Sequence, residues 1–356
     1  MHRVGIIVPG NRKYLPYVEY YVNILEKYQI DYRLMTWDKA GIPEESDMVF
    51  DFRTRDTNRK RMLYGYFRFL KKCKKYIVEQ QIDKVIFLTL APAFFMEQSF
   101  LRKRGIGYIL DIRDDSPLRK SFFRRFRKVC QGAECLMVSS PYFNRWIPRD
   151  TVVCHNVDVN RIAAYLQSPV KRREGETVSI VYAGMMIEPD CNIRMLDLLR
   201  QDSRFRFYYI GRPGTAKEKV LAFTRQAGMT NVYAEGTYNR EDIVEIYRTR
   251  GDFANILRSD TEINRNALPN RLYDAAVSGV PAIVYSHNEL IAQYVEKYRL
   301  GLSVDEDRFA ADPGILYRMI AEFDYDAYEK GRAEFLRTVL SEMKIFEETL
   351  LRLVSD

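Results

Sequence analysis

One pattern governs what this chain can become. Short apolar runs alternate with longer stretches of helical periodicity, and the alternation lapses once and then starts again. The first series contains "RVGIIVP", "IDYRLM", "KVIFLTL", "GYILDI", "ECLMVSS" and "TVVCHNV". Between them lie an amphipathic stretch from Tyr17 to Tyr28, a long basic helix over about Asn58 to Gln81, a helix near Phe94 to Arg104 and a basic helix near Leu118 to Gln131. Continuous apolar strands alternating with helices predict a parallel sheet covered on both faces. A polar, charged segment from Val157 to Glu176, with Pro169 and "KRREGE", reads as a linker. The second series then runs "VSIVYAG", "FRFYYIG", "NVYAEG", "DFANIL", "PAIVYS" and "GLSV", and the last thirty residues form one helical tract. The expected fold class is α/β, with domains over residues 1–165 and 166–335 and a C-terminal helix over 336–356 that packs back on the first domain.

A chain of 356 residues with 47% apolar and 29% charged side chains is long enough for two cores and is not of disordered composition. No apolar run approaches the roughly 18 residues needed to span a bilayer. The best candidate, Val85 to Met96, is short and carries Pro92. The N-terminus reads as a first strand rather than a signal peptide. Five cysteines (Cys73, Cys130, Cys135, Cys154, Cys191) without a CxxC pair argue for a reducing cytoplasm, and against a disulfide framework or a metal site. Residues 1–168 carry 30 Lys+Arg and 18 Asp+Glu, a balance of +12, and the remainder carries 26 and 30, a balance of −4. The basic character of the first half points to an anionic surface met by that domain.

The strand ends carry the polar chemistry, because ligands of open α/β sheets bind there. "VPGNRK" puts Gly10 and Asn11 after the first strand, and "DIRDDSP" puts Arg113 and Asp114 after "GYIL". His155 ends "VCHNV". No G-x-G-x-x-G is present, so the nicotinamide dinucleotide fingerprint is missing. In the second domain Gly184 and Gly211 allow close backbone approach, and Arg212 is suited to a phosphate. Gly236, Thr237 and Tyr238 offer backbone groups and a ring to a base. The richest stretch is "NALPNRLYDAAVSGVPAIV", residues 266–284. Leu268 and Pro269 lead into a helix whose first N–H groups suit a phosphate. Asn270 and Arg271 stand at its start, Asp274 one turn inside, and Gly279 at its end. Arg271 gives a diphosphate a fixed positive fork, and Asp274 suits a sugar hydroxyl. Simple capping with a solvated Arg271 fits the same residues.

The stretch resembles the donor-binding segment of GT-B glycosyltransferases, in particular family 4, whose pattern runs Pro-Asn-Lys, two residues, Glu, then a small-residue helix ending Gly-x-Pro. Here it reads Pro269, Asn270, Arg271, Asp274 and Gly279-Val280-Pro281. "DIRDDSP" and "HNVDVNRI" are similar to further segments of that family, and the likeness covers most of residues 80–305. It implies two Rossmann-like domains facing a central cleft. It also implies metal-independent transfer of a hexose, with retention, from a UDP- or GDP-sugar to a saccharide acceptor, preferably lipid-linked, in capsule, exopolysaccharide or related glycan synthesis. Arg271, Asn266 and Arg113 are the implied catalytic residues. Gly184, Gly211, Arg212, Gly236, Thr237, Tyr238, Leu268, Pro269, Asn270 and Asp274 are the implied donor contacts, Asp274 on the ribose. Gly10, Asn11, Asp114 and His155 are the implied acceptor contacts, with no metal and no cofactor. Asn266 stands where the family often has Glu, and Met185, Met186 and Ile187 stand where many members have a basic pair, leaving Arg212, Arg258 or Arg265 to supply charge. A catalytically silent GT-B subunit that binds a partner glycosyltransferase or acceptor is the alternative. "NRKRMLYGYFRFLKKCKKY" and "RKSFFRRFRK", the latter with Phe122, Phe123 and Phe126, interleave rings with cations, as membrane-surface helices do. The expected location is therefore the inner face of the cell membrane, with no nucleic-acid partner and with homo-oligomers or a partner enzyme as protein contacts.

Overall fold

The computed structural model describes residues 2–54, 59–212, 214 and 216–355. Asn58, the expected start of the long basic helix, and Pro213 of the "YIGRPG" loop lie outside the described residues. The chain divides into two compact units: Met1–Asn156 with Ser341–Asp356, and Val157–Leu340.

Unit 1 is built on seven parallel strands: β1 (Val4–Val8), β2 (Tyr32–Asp38), β3 (Met48–Asp51), β4 (Lys84–Leu88), β5 (Gly107–Ile112), β6 (Cys135–Val138) and β7 (Val152–Val153). Their order is β3-β2-β1-β4-β5-β6-β7. Ile6 of β1 lies opposite Leu34 on one side and Ile86 on the other, and every residue of β1 and β4 is buried. Helices on both faces account for this continuous burial. The order reverses between β1 and β4, so the crevice of this sheet opens at their carboxyl ends. β3, "MVFD", is the one strand of this sheet that periodicity does not announce: four residues are too few to show alternation. It forms because Phe50 packs on Trp37 and Phe69, with ring centroids 5.7 and 5.8 Å apart.

Unit 2 has six parallel strands: β8 (Val178–Ala183), β9 (Phe205–Ile210), β10 (Val232–Glu235), β11 (Phe253–Asn255), β12 (Ala282–Tyr285) and β13 (Gly301–Val304), ordered β10-β9-β8-β11-β12-β13. Here the reversal falls between β8 and β11. Val159–Tyr165, within the expected linker, is a helix, because the Asp158 side chain accepts from the Asn160 N–H and caps it. The first compact unit runs to Asn156 and the second starts at Val157. The final helix runs Tyr325–Ser355, beginning well before residue 336. Its buried Phe335, Leu336, Val339, Met343, Phe346, Leu350 and Val354 recur every three or four residues, as one helix face requires. Its first part belongs to unit 2 and its last turns to unit 1.

The end of β9 meets the end of β8 so closely that only glycine fits. Gly211 has φ +141°, and a Cβ there would stand 2.0 Å from the Gly184 carbonyl oxygen. Gly211→Ala is expected to lower the thermal midpoint of the protein by several degrees and to displace the β8 and β9 loops, read by calorimetry; an unchanged midpoint would show that this contact yields easily.

Candidate functional site

The Arg271 guanidinium occupies the reversal point of the unit 2 sheet. Helix Asn270–Ser278 brings it there, one residue into its first turn. Nη1 donates to the Asn255 carbonyl oxygen at the end of β11 (2.8 Å), and the guanidinium carbon stands 4.1 Å from the ring centre of Tyr182 on β8. Pro269 is the N-cap residue, with φ −72° and ψ 147° and no side-chain hydrogen bond, so it presents the helix start without a competing cap. Gly279 closes the other end at φ 72°.

A second arginine stands beside the first. Arg258, just past β11, donates to Glu188 Oε1 at 3.2 Å. Burial pulls its pKa down, Glu188 opposes the fall, and the neighbouring charge of Arg271 adds to it. Glu188 follows β8 and holds a left-handed backbone, φ 59°. Its Oε2 accepts from the Ser259 N–H (2.6 Å) and hydroxyl (3.0 Å), and Asn264 donates to Oε1 (3.2 Å). The loop after β11 is thereby tied to the loop after β8. Asn266, next to this network, has a buried side-chain oxygen with no hydrogen-bond partner among the described residues. Arg265, by contrast, pairs with Asp260 on the surface.

Asp274 is buried and takes both prongs of Arg240, at 2.6 and 2.8 Å, leaving each oxygen a further lone pair. Burial raises the pKa of the Tyr238 hydroxyl, Asp274 raises it further, and Arg240, Arg271 and Arg212 lower it. The ring therefore sits amid these four charged residues. Gly236 and Thr237 are exposed in the same loop, and nothing stands within 4 Å of a Cβ placed on Gly184 or Gly236. The helix is also gripped from behind. Arg332, 1% exposed, donates to the carbonyls of Ala276, Val277 (3.0 Å), Tyr165 (2.8 Å) and Ser168 (3.1 Å). A buried cation at a helix carboxyl end is favoured by the helix dipole. Sequence reasoning missed Glu188, Arg240 and Arg332.

Unit 1 has its own site at the β1/β4 reversal. A cavity of about 1050 Å³ opens at the strand ends, lined by Gly10, Asn11, Tyr14 and Tyr17 after β1, Lys39 and Ala40 after β2, Arg53 and Thr54 after β3, Thr89 after β4 and Asp114 after β5, together with Arg61 and Tyr66. Thr89 has φ +74°, a costly conformation for a β-branched residue. The cavity gathers three of the four expected acceptor residues, Gly10, Asn11 and Asp114. Asn11 contributes as an organiser: its amide donates to Asp38 and Glu44 (both 2.7 Å) and accepts from the N–H groups of Lys39 and Ala40.

Two expected site residues lie elsewhere. His155 is wholly buried; its ring bonds Glu342 and its N–H meets the Met343 sulfur, so it anchors the last helix rather than lining the cavity. Arg113 turns inward to Asp111 (2.8 Å from Nε, 2.6 Å from Nη2) and to the Cys154 carbonyl (2.8 Å), over the Tyr17 ring. A buried Asp111 without that partner would be strongly destabilising, so Arg113 serves as its counter-ion.

No protein-family model matches the sequence, and no curated protein matches it. Solved structures do. An E. coli trehalose-6-phosphate protein bound with UDP-2-fluoro glucose matches at 10% identity over 98% of each chain, TM-score 0.65. A glycosyltransferase from Rickettsia africae ESF-5 matches at 12% identity over 99% of this chain and 97% of that one, TM-score 0.67. The lipopolysaccharide outer core galactosyltransferase WaaB matches at 13% identity over 98% and 99%, TM-score 0.63. The chain has the GT-B glycosyltransferase fold.

Asp38 carries the order of the β2 loop. Burial pushes its pKa up, but hydrogen bonds from Asn11 and from the Gly41, Ile42 and Ala40 N–H groups outweigh that and hold it below the ordinary 3.8. Such a group stabilises the fold above its unfolded-state pKa, and the contribution is lost as pH falls through the depressed folded value. Asp38→Asn is expected to be less stable than the parent at pH 7, with the gap closing in acid below about pH 4. Denaturant midpoints across pH check this; a gap constant down to pH 2 would contradict it.

Proposed function

We propose that the chain is a glycosyltransferase that moves a hexose from a UDP- or GDP-sugar to a saccharide acceptor. The observation that carries this reading is Arg271 at the unit 2 reversal point, beside an uncapped helix start and a second arginine, Arg258. As the glycosidic bond breaks, negative charge builds on the leaving diphosphate. Two guanidinium groups and a helix N-terminus stabilise it without a metal ion. Asp274 and Tyr238 serve the nucleoside, the acid through its remaining lone pairs or after Arg240 swings aside. The Asn266 oxygen, without a partner among the described residues, accepts from a donor hydroxyl.

Retention follows if the acceptor attacks from the side the diphosphate leaves, passing its proton to the departing phosphate oxygen. The committed state of Glu188, which accepts four hydrogen bonds, supports a route without a covalent carboxylate intermediate. The acceptor is assigned to the unit 1 cavity, with Gly10 and Asp114 in its wall. A silent subunit is the second reading, favoured by the Arg240 prongs on Asp274. Arg271→Ala separates the two. Transfer predicts much weaker binding of UDP or GDP in calorimetry and a kcat lower by roughly 10²–10³. Unchanged nucleotide affinity in a folded variant would remove the assignment.

The acceptor's setting is proposed to be an anionic membrane surface in capsule or related glycan synthesis, in the cytoplasm. No helix among the described residues is long and apolar enough to cross a membrane. Leu63, Tyr64 and Phe67 stand exposed on helix Arg59–Glu79, and Phe122 and Phe123 on the next basic segment, whereas Phe126 is core. Rings join the two groups through Phe67–Phe95 (5.9 Å), Phe94–Phe95 (5.3 Å) and Phe94–Phe122 (5.8 Å). This belt with its cations fits an interfacial contact, each cation contributing about 1 kcal/mol near anionic lipid. Phe67→Ser with Phe122→Ser is expected to abolish sedimentation with phosphatidylglycerol vesicles and leave nucleotide affinity intact; full retention on the vesicles would refute the contact.

A further inference from the structure

Among the described residues, the lining of the unit 1 cavity is electrically lopsided. On the β2 and β3 side it is walled by Lys39, Arg53 and Arg61; among the described residues lining it Asp114, after β5, is the one acid. A neutral saccharide does not require three cations at one end of its site.

These cations are held by built features. The loop after β2 bends at Gly41 (φ +73°), where a Cβ would stand 2.6 Å from Arg53 Nε, so glycine is what lets the guanidinium lie against the loop backbone. Arg61 Nε donates to the Arg53 carbonyl at 3.0 Å, which fixes the two arginines as neighbours, and the Arg61 guanidinium stacks 4.7 Å from the Phe52 ring centre. Lys39 Nζ rides over the rings of Trp37 (4.7 Å) and Tyr66 (5.7 Å). Asp38, at the end of β2, directs Oδ1 to Asn11 and to the Ala40, Gly41 and Ile42 N–H groups. Its charge is thus met by amides.

We propose that this cavity takes a phosphorylated acceptor, its phosphate gripped by Lys39, Arg53 and Arg61, while the sugar lies against Tyr14 and Tyr17 toward Asp114. The inference rests on the transferase reading for the word acceptor; the phosphate site itself does not. Two arginine forks and a lysine match the planar hydrogen-bonding and the charge of a phosphate ester, and a volume of about 1050 Å³ admits a sugar with its phosphate. A soluble sugar phosphate and a lipid-borne phosphate present the same chemistry to these residues.

Calorimetry on the full chain tests this with hexose phosphates against the same unphosphorylated hexoses, and with polyprenyl phosphate in phosphatidylcholine vesicles against vesicles without it. The expected result is at least about tenfold tighter binding of a phosphorylated probe. Arg53→Ala with Arg61→Ala should erase that preference and leave UDP or GDP affinity unchanged. Arg271→Ala should do the reverse. Preference for hexose phosphate identifies a soluble acceptor and preference only in vesicles a lipid-linked one; either supports the site. Equal binding of phosphorylated and neutral probes, a preference that survives the double variant, or its loss in Arg271→Ala would each overturn it. A phosphate preference in a protein that binds no nucleotide would leave this site standing and remove the transferase reading alone.

Discussion

Unit 2 depends on one helix, Asn270–Ser278, held from its carboxyl end so that its amino end stays open. Arg332 supplies the hold by donating to four carbonyls, two of them in that helix. A guanidinium buried without a carboxylate is expensive unless its hydrogen bonds are made, and here carbonyl oxygens at the negative end of a dipole make them. With the far end fixed, the near end projects Arg271 between Asn255 and Tyr182. The electrostatics of the proposed reaction follow from that geometry: a positive helix tip and a guanidinium share one point, and Arg258 stands at hand.

Both units obey the same rule. Each parallel sheet reverses its strand order once, and each reversal point collects polar groups from loops far apart in sequence. Each also keeps one non-glycine residue in an unfavourable backbone conformation at that point, Thr89 in unit 1 and Glu188 in unit 2. The other such residues, Gln29, Gln81 and Arg299, directly follow helix ends, where a left-handed residue is the usual way to stop a helix. Strain kept in the middle of a polar crevice is retained because the surrounding contacts fix it, as happens at ligand sites.

The fold was legible because its signal is local. Strands such as "GIIV" and "VIFL" are apolar throughout, and the restart of the pattern after residue 176 marks a second sheet. The helix Asn270–Ser278 was legible for the same reason: Pro269, Arg271 and Gly279 act within three turns of one another. What stayed hidden was pairing at long range. Nothing in "YNRED" announces that Arg240 reaches Asp274, 34 residues on, and nothing near Arg332 announces a contact with Ala276, 56 residues back. Strand-end position is readable from sequence and side-chain direction is not: Arg113 and His155 both turn inward to partners, Asp111 and Glu342. Lys39, Arg53 and Arg61 lie on separate segments of the sequence, and only the fold makes them one wall.

The most direct test of the account is a structure of the protein with a bound nucleoside diphosphate, the base chosen by prior binding. The account predicts the β-phosphate at the start of helix Asn270–Ser278, within hydrogen-bond reach of the Arg271 guanidinium, with the ribose turned toward Asp274. A diphosphate seated away from that helix tip, with Arg271 still on Asn255 and Tyr182 and no phosphate oxygen beside it, would contradict it.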